Sequence, residues 1–218
     1  MGEQLIVPSF LHHHFGDILC IISEIERLHN EGNDVWIRDR NDEETNKRYL
    51  EYLSIYNLNW KYQTSNNLKI NYKWREFTEL YKNPPLLCAV YKHDNSKIYK
   101  KITYTRDANW MPDQKLNPEW NTLWDSIKTL QWIEVNKNTG GNLQCQKLIA
   151  ESDLFIGVDN GVSHMAKSVG IPMILLEYKL GLERGFPSSI VQYTKATTNE
   201  EIINLIKKYY LTKSCFEI

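Results

Sequence analysis

Several catalytic and binding signatures are missing from this chain of 218 residues. It has no Gly-x4-Gly-Lys-Ser/Thr loop and no Gly-x-Ser-x-Gly string, which excludes a Walker-type phosphate loop and an α/β-hydrolase nucleophile. Its four cysteines, Cys20, Cys88, Cys145 and Cys215, form no Cys-x-x-Cys pair, so neither a disulfide frame nor a zinc site is expected and the thiols read as reduced. A net charge of −1 shows no basic excess of the kind that marks a nucleic-acid binder, although it leaves room for a local basic groove. No apolar run approaches the ~18 residues of a membrane span. Glu3 and Gln4 stand where a leader peptide would be basic, and the apolar run after them stops at His12, so a cytoplasmic location is expected. No internal repeat or low-complexity tract interrupts the chain.

What is present is an ordinary globular composition, 42% hydrophobic and 24% charged, arranged in alternation. Residues 4–10 read as a buried strand, 12–16 as a loop, 17–30 as a helix with Ile18, Ile21, Ile22, Ile25 and Leu28 on one face, and 34–38 as a second strand. The next stretch is less regular, with a helix expected over 48–55, a strand over 60–63, a helix over 72–81 broken by Pro84-Pro85, and a strand over 86–91. Polar turn residues at 93–99 suggest a junction between domains 1–95 and 96–218. The second half alternates cleanly, with strands at 102–105, 131–135, 154–157 and 172–176. Its helices fall at 118–129, 143–151, 162–169 and 199–210, the last capped by Thr198 or Asn199. Strands alternating with helices predict an α/β fold of parallel sheets, here two Rossmann-like doubly wound halves with a compact first half and a cleft at the carboxyl ends of the strands.

The segment from Ser152 to Leu176 carries the clearest chemistry. The strand Leu154-Phe155-Ile156-Gly157 runs into Val158-Asp159-Asn160-Gly161 and then a helix, and glycines there let the backbone turn and approach a ligand. The helix end offers unpaired N–H groups and a positive dipole end to an anion, with Ser163 adding a hydroxyl and His164 a ring. A diphosphate leaving group, which gathers charge as its bond breaks, would be stabilised there without a metal. The plainer alternative is that Asp159 or Asn160 only caps the helix.

This string, Ser152 through Gly161 followed by His164, Ala166, Gly170, Pro172 and Leu175, resembles the lipopolysaccharide heptosyltransferase family, glycosyltransferase family nine. The resemblance implies a glycosyltransferase-B type fold and a nucleotide-sugar donor whose diphosphate is held by Asp159, Asn160, Gly161 and His164. Gly16-Asp17-Ile18-Leu19 matches the Gly-Asp that opens the first helix in that family, where the Asp is the proposed general base; Asp17 inherits that role, against the alternative of a simple helix cap. A basic residue in the loop after the strand at 102–105 implies Arg106 or Lys115 as a donor-phosphate ligand. No Asp-x-Asp string occurs, which favours a metal-independent mechanism with no cofactor besides the donor. His12-His13-His14 is a poor metal set at that spacing; His13, His14 and Gly16 are instead expected at the cleft mouth, near acceptor or donor. Trp36, Trp60, Trp74 and Trp110 are candidate stacking faces.

The departures are a chain shorter than the heptosyltransferases, trimmed in the acceptor-selecting half, and Val162 where the family more often has proline. The expected activity is therefore hexosyl or heptosyl transfer to an unidentified acceptor hydroxyl, on a saccharide or on a modified nucleic-acid base. A nucleotide-sugar hydrolase or epimerase and a non-catalytic nucleotide-sugar-binding module are the alternatives.

Overall fold

A computed structural model describes residues 3–8, 15–38, 47, 51, 54–56, 61–63, 69–75, 77–80, 89–106, 120–136, 138–158, 160–176, 195–196 and 198–214. The first strand, β1 (Gln4–Val7), stops at Pro8, which has no N–H to continue a ladder. Helix α1 (Phe15–Asn30) begins two residues earlier than its periodicity predicts, taking in Phe15 and Gly16. Strand β2 (Asp34–Arg38) falls where its alternation places it and pairs in parallel with β1 and with β3 (Lys61–Gln63). Ile18, Ile21, Ile22, Ile25 and Leu28 of α1 are buried against Val7, Val35 and Ile37 of this sheet. Each such side chain contributes on the order of 2 kcal/mol when fully withdrawn from water.

The expected helix over 72–81 is corrected. Among the described residues there, only α2 (Phe77–Leu80) is helical, and residues 71–75 belong to no helix or strand. The cause lies far away in sequence. Asn71 docks on β1, accepting the Ile6 N–H at its side chain (2.6 Å) and donating its own amide to the Ile6 carbonyl. Tyr72 and Arg75 then reach the buried carboxylate of Glu24 on α1. Of the strand expected over 86–91, residues 86–88 lie outside the described residues and Ala89 forms a single antiparallel bridge with Tyr56.

The second sheet is larger. Strands β4 (Lys101–Tyr104), β5 (Gln131–Glu134), β6 (Leu154–Gly157), β7 (Met173–Leu176) and β8 (Lys195–Ala196) are all parallel, in the order β5-β4-β6-β7-β8. Helices α3 (Trp120–Ser126), α4 (Asn142–Ala150), α5 (Gly161–Val169) and α6 (Asn199–Ser214) connect or close it. Alternate residues of a strand face opposite sides, and the burial follows that rule. Phe155, Met173 and Leu175 face Cys145, Ile149, Met165, Ala166 and Val169 of α4 and α5. Leu154, Ile156, Ile174 and Leu176 face Leu123, Ile202 and Ile206 of α3 and α6. Both faces are covered, which is why these strands read as continuous apolar runs. This half is doubly wound; the first half shows, among the described residues, three parallel strands with α1 on one face.

Helix α6 is longer than predicted and starts with a reciprocal cap. Thr198 Oγ1 accepts the Glu201 amide (3.2 Å), and the Glu201 carboxylate accepts the Thr198 amide (3.0 Å). Helix α1 packs directly on α5, and one core runs from Val7 and Ile37 of the first sheet through both helices to Phe155 and Leu175 of the second.

Candidate functional site

The strand order fixes where a site can lie. The chain leaves β4 to add β5 on one side and later adds β6 on the other, so the order reverses between β4 and β6. Open parallel sheets bind ligands at the carboxyl ends of the strands flanking such a reversal. Here those ends are Thr105-Arg106 and Val158 through Gly161. Side chains crowd Gly157 at this point. A Cβ on Gly157 would lie 2.7 Å from Phe155 Cε1 and 2.8 Å from Thr105 Cγ2. The sequence reading gave Gly157 and Gly161 a turning role; neither has a positive φ, and Gly157 is required because nothing larger fits.

Beyond β6, Asn160 is the N-cap of α5. Its side-chain oxygen accepts the Ser163 amide at 3.0 Å, and its side-chain nitrogen points to Thr105 Oγ1 at 3.4 Å, tying the helix end to β4. Ser163, expected as a hydroxyl donor to the ligand, is fully buried, and its hydroxyl donates to the Val158 carbonyl, closing the turn where the chain leaves the sheet. Ser152 and Asp153, the start of the same string, are also structural. Ser152 donates to the Leu148 carbonyl (2.8 Å), and buried Asp153 accepts the amides of Tyr99 (2.9 Å) and Lys101 (3.1 Å) and the Tyr210 hydroxyl (3.1 Å) at the opposite, amino end of the sheet.

The first-helix motif and the second meet. A Cβ on Gly16 would stand 2.9 Å from His164 Cδ2, 3.4 Å from His164 Nε2 and 3.7 Å from Gly161 Cα. His164 is buried in this contact, with Nδ1 4.0 Å from Cys20 Sγ of α1. The ring expected to reach an anion therefore also sets the spacing between the two helices. As a result the N-termini of α1 and α5 converge, and with them two positive dipole ends. Such a junction favours an anion.

Arg106 lies just past β4 and is exposed, with its guanidinium paired to Glu134 at the end of β5 through Nε–Oε1 (3.0 Å) and Nη2–Oε2. Beneath them, burial pushes the Tyr104 phenol above its ordinary range; the Glu134 charge adds to this and Arg106 opposes it. Sequence reasoning missed Thr105 and Glu134. Glu134 stood at the end of an expected strand, but only the β4–β5 register, which pairs Tyr104 with Glu134, brings it to Arg106.

His13, His14, Lys115 and Asp159 lie outside the described residues, as do Trp60 and Trp110. The backbone of Asp17 is in the first turn of α1, next to Gly16, and its side chain lies outside the description. Trp36 bonds to Asp34 (2.8 Å), while Trp74 donates to the Pro8 carbonyl (3.3 Å) and meets Tyr72 edge-on. Among the described residues, no group of three or more His, Cys, Asp or Glu side chains converges as a metal set, and no helix is long and apolar enough to cross a membrane.

No family model matches the chain, and no curated protein is significantly similar to it in sequence. Among solved structures it is similar to the iron-containing dodecameric glycosyltransferase TibC from enterotoxigenic E. coli, with a TM-score of 0.55 and 11% identity. That likeness covers 81% of this chain but spans only 58% of the length of TibC. At this identity it is a likeness of fold: a mixed α/β architecture of parallel sheets shared with a glycosyltransferase.

Proposed function

We propose that the chain is a glycosyltransferase of the glycosyltransferase-B type that moves a sugar from a nucleotide-sugar to an acceptor hydroxyl, with no metal or other cofactor. Residues 1–95 would form the acceptor side and 96–218 the donor side. The observation that carries this reading is the convergence of the α1 and α5 N-termini at Gly16 and Gly161, beside the strand-order reversal between β4 and β6. The fold likeness to a glycosyltransferase supports the same class.

In this reading the donor diphosphate sits against the first turn of α5, with Gly161 giving close backbone approach and Arg106 or Lys115 supplying charge. Asp159 and Asn160 shape the turn, and His164 holds the two helix ends at their spacing. As the anomeric carbon–oxygen bond breaks, negative charge grows on the diphosphate, where oriented amides stabilise it without reorganising. Asp17, at the start of α1 across the junction, takes the proton of the attacking hydroxyl. His13 and His14, which precede α1, would lie on the acceptor side.

A thermal-shift screen across UDP-, GDP-, ADP- and CMP-sugars tests the donor class, since ligand at 100 times its Kd adds about 2.7 kcal/mol of stability. Stabilisation by one nucleotide series is expected, and no shift with any of them sinks the reading. Labelled donor without acceptor then separates transfer from hydrolysis: rapid complete hydrolysis makes the protein a hydrolase. Binding without turnover in the wild type, retained in Asp17→Ala, makes it a binding module.

A further inference from the structure

Among the described residues at the carboxyl edge of the large sheet, Arg106 brings a full positive charge to the switch point, and that charge is already engaged. Among the described residues, Nε and Nη2 of the guanidinium engage one carboxylate, Glu134, in the fork geometry that is the strong form of this pair. The parallel register sets Tyr104 opposite Glu134, so the pair closes across the ends of β4 and β5, one strand away from the reversal between β4 and β6. Neither partner is locked in by burial, the side chains being 42% and 24% exposed. A solute anion that reaches these guanidinium nitrogens therefore competes with the Glu134 carboxylate.

We infer that Glu134 is a built-in competitor for the anion site on Arg106, a specificity-determining counter-ion that a multiply charged phosphate displaces and a singly charged anion does not. The inference rests on the reading of Arg106 as a phosphate ligand. A carboxylate carries one negative charge. A diphosphate carries more charge and more acceptor oxygens, so it outbids Glu134 on the guanidinium, whereas chloride or acetate gains nothing by the exchange. Glu134 thus keeps the site closed to common monovalent anions. Tyr104 senses the pair from below, since its phenol feels the two charges with opposite sign.

The probe is inorganic pyrophosphate, titrated by calorimetry into wild type, Glu134→Gln, Arg106→Gln and the double variant. Both substitutions sit on exposed or partly exposed side chains, so folding is not at stake, and an absorbance titration of the tyrosines checks the pair itself. Exposed ion pairs are worth up to about 1 kcal/mol, which converts to at most about five-fold in affinity. Glu134→Gln is expected to bind pyrophosphate about three-fold more tightly, to admit acetate as a competitor, and to lose the gain when Arg106 is also replaced. Unchanged or weaker pyrophosphate binding in Glu134→Gln, with Arg106→Gln weakened, overturns the competitor role and leaves the phosphate role of Arg106 standing. If wild type and Arg106→Gln do not differ, the phosphate reading of Arg106 in the resting protein fails. A gain in Glu134→Gln that needs Arg106 still upholds the competitor role in that case, and no gain overturns it.

Discussion

Removing the charge of Glu24 tests how helix α1, and therefore Gly16-Asp17, is held in place. This carboxylate is completely buried yet accepts hydrogen bonds from Arg27 (Nε and Nη2, both 2.9 Å), Arg75 (Nε, 2.9 Å) and the Tyr72 hydroxyl (2.9 Å). Burial alone would raise its pKa; the bonds from Arg27, Arg75 and Tyr72 outweigh burial and bring it from 4.5 to about 2. At about 1.4 kcal/mol for each pKa unit this amounts to roughly 3 kcal/mol of stability. The two arginines are 35% and 40% exposed, so water and salt screen part of it and about 2 kcal/mol is the working figure. The folded-state pKa lies below the unfolded one, so the unfolded chain takes up the proton first as pH falls. The contribution is thus complete above about pH 5 and is lost as pH drops from about 4.5 toward 2. Glu24→Gln should lower stability at pH 7 by about 2 kcal/mol, about 4–8 °C in Tm at this chain length. It should also flatten the acid limb by one proton relative to wild type. Urea unfolding of both proteins at half-unit steps from pH 7 to 2.5 measures each quantity. A loss under about 0.5 kcal/mol at pH 7, or an unchanged acid slope, would refute the reasoning.

Other expectations follow from the site geometry. Gly157→Ala forces a methyl to within 2.8 Å of Thr105 Cγ2 and should cost about 1–3 kcal/mol by overpacking, read from urea midpoints; a neutral change would mean that β4 and β6 separate freely. Gly16→Ala drives a methyl toward His164 Cδ2 at 2.9 Å and should shift the His164 imidazole NMR signals while the signals of α6 stay in place. Asn160→Ala removes the α5 cap and its link to Thr105, costing about 1 kcal/mol. If the helix end holds the donor, the same variant should weaken nucleotide-sugar binding by more than its thermal destabilisation explains. Asp17→Asn should retain that binding and abolish transfer, and retained transfer would remove Asp17 from the role of base.

Much of this protein was legible locally. The apolar alternation of β2, the continuous apolar run of β6 and the 3.6-residue spacing of α1 are properties of windows shorter than twenty residues, and these elements form within two residues of where the pattern puts them. The turn from β6 into α5 was readable for the same reason, because capping and dipole direction depend on neighbours in sequence. Pairings across the fold were not. Residues 72–75 are not helical because Asn71, Tyr72 and Arg75 find partners on β1 and α1, 48 to 65 residues away. The need for glycine at 157 comes from Thr105 on a neighbouring strand, and the commitment of Ser163 comes from a carbonyl left over at the strand end. Sequence by itself determined the α/β alternation and pointed to the Gly16-Asp17 and Asp159–His164 segments as the chemistry-bearing turns. Only the tertiary structure decided the strand order that creates the switch point, the meeting of Gly16 with His164, and the capture of Arg106 by Glu134. Each of these depends on which strands and helices become neighbours, and that is settled by packing of the whole core.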